Sequence, residues 1–102
     1  MGGGVKGLRS YEVMFIIRPD LEEEATEAVV EKVTGLIEKQ GGETVKVDKW
    51  GKRRLAYEIN KLREGYYVVV YFKGTAQVAD EMDRVLKITD EVIRHMIIRK
   101  EE

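Results

Sequence analysis

The sequence has no cysteine, a single histidine and a single serine, and each scarcity closes a route. Without cysteine there is no disulfide framework and no thiolate metal site, so a cytosolic address and a packed core are expected. With His95 and Ser10 as the sole residues of their kinds, no catalytic triad can be assembled and no histidine pair can hold a metal. No catalytic site, metal or cofactor is therefore expected. His95, between Arg94 and Met96 in a predicted strand, reads as an ordinary structural histidine. No apolar run approaches a membrane span, and the opening Met1-Gly2-Gly3-Gly4-Val5-Lys6-Gly7 lacks the apolar core of a signal peptide. Residues 1–7 read as a flexible glycine-rich tail and residues 8–102 as one domain, a size at which a single core is the rule. Neither sign of charge dominates: 18 basic against 19 acidic residues give a formal net charge of −1, which offers a polyanion no general attraction.

The distribution of charge is less even. Residues 20–31 hold six acids and no base, whereas residues 46–63 hold seven bases and two acids, which predicts a positive and a negative end. Residues 11–17 alternate in two faces and form a first strand. Asp20 and Glu23 have the spacing of a capping box for a helix that ends at Gly41-Gly42. Gly35 inside that helix costs about 1 kcal/mol relative to alanine, which predicts a close packing contact there. A long second strand over 44–59 carries a bulge or bend at Trp50-Gly51. A polar connection over 61–65 leads to a third strand over 66–73. Thr75 caps a second helix, and residues 92–99 make a fourth strand.

This βαββαβ order predicts an α+β, ferredoxin-like fold: a four-stranded antiparallel sheet, strands one and three central, with two helices on one face. Tyr11, Val13, Phe15 and Ile17, with Tyr66, Val68, Val70 and Phe72, should meet the helices. Met14, Ile16, Tyr67, Val69 and Tyr71 then lie on the open face. That set is too apolar for an indifferent solvated surface, so it is a candidate partner or stacking surface, as is Trp50. Lys52, Arg53 and Arg54 beside Trp50 and near Tyr57 combine phosphate-binding forks with stacking rings, the residue types that RNA contacts need. Against this stands the possibility that bases on an edge strand only prevent edge-to-edge aggregation.

An RNA-recognition motif shares the element order, and a free-standing binder of single-stranded RNA is the alternative reading. Its third strand wants a base before the glycine and aromatics at alternate positions, where this chain has Glu64-Gly65-Tyr66-Tyr67-Val68. A small-molecule-binding or enzymatic ferredoxin-like domain is a third class, weakened by the missing acid, base and ligand groups.

Three stretches point elsewhere: Arg9-Ser10-Tyr11-Glu12, then Trp50-Gly51-Lys52-Arg53-Arg54-Leu55-Ala56-Tyr57-Glu58-Ile59-Asn60-Lys61, then Val92-Ile93-Arg94-His95-Met96. With these the chain resembles the bacterial small-subunit (30S) ribosomal protein S six family from Arg9 onward. It departs at Glu58, where the family commonly has proline. The resemblance implies a ferredoxin-like fold, a ribosomal location in the cytoplasm, and no enzyme activity or cofactor. It also implies assembly onto 16S ribosomal RNA in the platform of the small subunit, jointly with ribosomal protein S eighteen. No membrane or small-molecule substrate is implied. By position, Lys52, Arg53, Arg54, Arg9 and Arg94 match the family's basic residues and are the implied RNA contacts.

Overall fold

Alternation along the first strand decides which way its side chains point. In the computed structural model, which describes residues 8–100, β1 (Arg9–Ile17) buries Tyr11, Val13, Phe15 and Ile17 on one face. It is followed by α1 (Glu23–Lys39), β2 (Glu43–Ile59), β3 (Leu62–Gly74), α2 (Ala76–Lys87) and β4 (Val92–Lys100). The strands form one antiparallel-paired sheet in the order β2-β3-β1-β4, with β3 and β1 central as the pattern predicts. The expected flexible tail over 1–7 and the last two residues lie outside the described residues.

The helices pack on the face that carries Phe15 and Phe72. Val29, Val30, Val33 and Ile37 of α1 and Val78, Met82 and Leu86 of α2 recur at helical spacing and close over Val13, Ile17, Val68 and Val70. Each such side chain contributes about 1.5–3 kcal/mol when taken from water, and this face supplies most of the fold's stability. Tyr11 and Phe72 stack across β1 and β3 with ring centroids 5.3 Å apart. His95 is structural: on the helix side of β4 its ring nitrogen lies 2.7 Å from Asp83 of α2 and ties the helix to the edge strand.

Three local expectations are corrected. The capping box does not form: the N-cap of α1 is Glu22, and Asp20 instead accepts a hydrogen bond from Arg18 at 3.0 Å. A nearby guanidinium outcompetes a backbone amide for that carboxylate. Thr75 does precede α2, but its carbonyl, not its side chain, accepts the amide of Val78 at 3.0 Å. Gly35 is exposed and a methyl group there would touch nothing, so no close contact explains it.

The largest difference concerns the connection expected over 61–65: only Lys61 lies in the turn, and residues 62–65 are the start of β3. Asn60 and Lys61 both take positive φ (50° and 67°), so β2 turns into β3 through a two-residue hairpin whose twist matches the strands. Asparagine tolerates this conformation because its short amide bonds locally. The polar residues Arg63 and Glu64 are exposed because this end of the β2–β3 hairpin extends past β1, whose pairing with β3 stops at Tyr66.

Candidate nucleic-acid and partner interface

Edge strand β2 departs from regular pairing with β3 between Thr44 and Lys46, between Lys49 and Gly51, and between Arg54 and Ile59. Each excess residue re-aims the side chains that follow it. At the second break Gly51 takes a φ of +85°, a conformation in which any other residue is strained, and it stands opposite Tyr67. Trp50, the extra residue, lays its ring on Tyr67 with centroids 6.2 Å apart and planes 9° from parallel. The guanidinium of Arg53 sits 5.5 Å from the Trp50 ring. Arginine, indole and phenol thus form a staircase on the open face. The expected bend is present, and past it regular alternation divides the basic signature: Arg53 stands opposite Gly65 on the open side, while Lys52 opposite Tyr66 and Arg54 opposite Glu64 take the other side.

The third break is larger. Residues 55–58 of β2 stand opposite Arg63 alone, so this stretch leaves the ladder and forms an arm. Leu55 is buried within it although its neighbours are exposed. Leu55 approaches the space above Gly65 that Ile16 fills: a Cβ at position 65 would lie 2.2 Å from Ile16 Cγ2 and 3.5 Å from Leu55 Cδ2. Glycine is needed there because the Ile16 side chain already occupies the position. Farther along the arm, Tyr57 reaches β4, where Arg94 Nη1 donates a hydrogen bond to its hydroxyl and the guanidinium lies 5.6 Å from its ring.

The predicted open-face residues are all on that face, but they differ in remaining surface. Ile16 and Val69 are 4% and 1% exposed, so the chain itself has covered them. Met14, Tyr67 and Tyr71 are half-buried, and Lys46 lies 5.9 Å above the Tyr71 ring. Sequence reading missed the contribution of β4. Met14 pairs with Met96 and Glu12 with Ile98, so Met96 and Ile98 extend the apolar strip, 38% and 45% exposed. Their alternation with His95 and Ile97 was the available signal.

Charge is not separated into two ends, contrary to expectation. Lys49 makes an ion pair with Glu27 of α1, whose hydrogen bond raises the lysine pKa. Lys52 shares a surface hollow with Glu23, Glu27 and Arg18. The crossover places the acidic turn of α1 beside the helix side of β2, so Lys49 and Lys52 there meet carboxylates. Arg9 stands apart, paired with Gly74 at the far end of β1 and bonded to the Leu8 carbonyl at 3.3 Å. Seven residue-to-residue steps along the strand separate it from the Ile16–Arg94 pair, about 23 Å at the usual rise, so the five candidate RNA contacts are not one cluster.

Among the described residues no group of three or more histidines or carboxylates could hold a metal, and no helix is long and apolar enough to cross a membrane. What this face offers is stacking, cationic forks and apolar contact. The model of the family described as Ribosomal protein S6 matches residues 10–99, nearly the whole fold. The chain belongs to the ribosomal protein S6 family. It is 65% identical over 95 residues to small ribosomal subunit protein bS6 of Moorella thermoacetica, covering 93% of this chain and 97% of that protein. It is 57% identical to bS6 of Carboxydothermus hydrogenoformans over 93% and 99% of the two chains. The crystal structure of 30S ribosomal protein S6 from Thermotoga maritima superposes with a TM-score of 0.86 at 41% identity, covering 91% of this chain and 88% of that one. The chain is a small-subunit ribosomal protein, and its family is structural, not enzymatic.

Proposed function

We propose that this S6-family protein binds 16S ribosomal RNA in the platform of the small subunit and does so jointly with ribosomal protein S eighteen. The observation that carries this reading is the composite open face, which holds the Arg53–Trp50–Tyr67 staircase on its β2–β3 side and the exposed apolar strip of Met96 and Ile98 on edge strand β4. Guanidinium and rings suit RNA, and the apolar strip suits a protein. A formal net charge of −1 adds little non-specific affinity for RNA, so a basic companion strengthens the complex. A self-sufficient RNA-recognition module fits less well, because Val69 is closed off at the centre of the face and Tyr67 is already stacked under Trp50.

The test is a titration of labelled platform RNA with this protein, with the partner, and with the pair. Weak binding by the protein alone and tight binding by the pair are expected. Equal affinity of the protein with and without the partner contradicts joint assembly.

A further inference from the structure

Arg94 matches a basic residue of the family by position, which implies an RNA contact, but the structure gives its guanidinium another occupation. It donates to the Tyr57 hydroxyl and lies 5.6 Å from the same ring. These two residues are 37 apart in sequence and belong to strands that never pair with each other: β2 and β4 are the opposite edges of the sheet. The contact exists because residues 55–58 leave the β2–β3 ladder and cross toward β1 and β4. Leu55 anchors the near side of this crossing, buried above Gly65 and Ile16. Between the two anchors a hollow of about 130 Å³ remains, walled by Met14, Tyr67 and the underside of the arm. An arm with a gap beneath it is held at its ends and not along its length.

We infer that Arg94 is a positioning residue, which latches the β2–β3 arm across the sheet through Tyr57 and so sets the shape of the surface offered to RNA and partner. It is not a phosphate contact. The part about RNA and partner rests on the proposed function; the latch does not. Lysine cannot replace arginine here, because a compact ammonium offers neither the planar stacking surface nor the fork. Both latch residues are exposed, and cation–π contacts at such sites are modest. Breaking the latch should therefore loosen the arm without unfolding the protein.

Amide hydrogen exchange of the isolated protein tests the latch, and the salt dependence of joint RNA assembly tests its role. Arg94→Lys and Tyr57→Leu should each speed exchange in residues 55–59 by about two- to fivefold, with melting temperature nearly unchanged. The double variant should be no faster than either single one, because both remove one interaction. Tyr57→Phe, which keeps the ring, should fall between wild type and Tyr57→Leu. In joint assembly, Arg94→Lys and Tyr57→Leu should weaken binding several-fold with the salt slope unchanged. The inference is overturned if arm exchange does not respond to either substitution. It is also overturned if Arg94→Ala lowers the salt slope by about one unit while Tyr57→Leu assembles normally, the signature of a direct phosphate contact. If wild-type protein and partner fail to assemble on RNA, the proposed function fails, while the exchange result still decides the latch.

Discussion

On the helix side of the sheet Val13, Phe15, Ile17, Val68 and Val70 lose all their surface to two helices. On the open side Ile16 and Val69 come nearly as far with no helix above them. Ile16 lies beneath Leu55 of the arm; Val69 is flanked in register by Met14 and Asp48 and along its strand by Tyr67 and Tyr71. The helix side is buried by elements distant in sequence that have no other place to put their apolar stripes. The open side is buried more locally, Ile16 by the excursion of one hairpin and Val69 by its neighbours in the sheet, and that cover stops short of Met96 and Ile98. Damage should therefore show as lost stability on the helix side and as lost binding on the open side.

The largest effect belongs to the dry core. Phe15→Ala should cost about 3–5 kcal/mol in urea unfolding, because the side chain has no exposed surface and its cavity cannot collapse. Met14→Ala, one residue away on the open face, should cost much less. Equal costs would erase the asymmetry between the faces.

Next comes the one place where the open side is tightly packed. Gly65→Ala puts a methyl carbon where Ile16 Cγ2 already sits and should destabilise by about 1–3 kcal/mol. Adding Ile16→Ala should recover part of that loss, so the double variant is more stable than the two single costs predict. Strict additivity in a thermodynamic cycle would show that Ile16 and residue 65 do not compete for space.

The basic signature separates the two sides again. Arg53→Ala, on the staircase, should lower the salt slope of joint RNA assembly by somewhat less than ~1 unit while the fold is retained. Arg54→Ala, opposite Glu64 on the other side, should change assembly little. Wild-type affinity and slope for both variants and for the double substitution would reduce the signature to edge protection.

The smallest effect is a pH dependence on the helix side. A hydrogen bond from His95, and then one from Lys87, hold the Asp83 carboxyl below the ordinary aspartate range. A depressed folded-state pKa contributes stability that is complete above the unfolded value and disappears as pH falls through the folded one. Asp83 is almost half exposed, so solvent screening limits the effect to about 1 kcal/mol or less. Melting temperature against pH should show Asp83→Asn losing this acid-side component while matching wild-type slope near neutrality. Loss of stability on raising the pH instead would contradict the assignment.

The element order, the helix-facing residues and the bend at Trp50-Gly51 were legible because they are local properties. Period two and period 3.6 are written into neighbouring residues, and a positive φ calls for glycine. The five open-face residues followed from the same alternation, but their remaining surface did not, since that depends on where the arm lies. Three tertiary facts settled the rest of the site. The register of β4 against β1 brought Met96 and Ile98 beside Met14 and Glu12. The crossover of α1 set Glu27 against Lys49 and cancelled charge that the sequence displays as separate blocks. The four-against-one bulge carried Tyr57 to Arg94, while strand length kept Arg9 remote. Each is a through-space juxtaposition of residues distant along the chain. Spacing in one sequence can say which way a side chain points, and only the packed sheet decides what it meets.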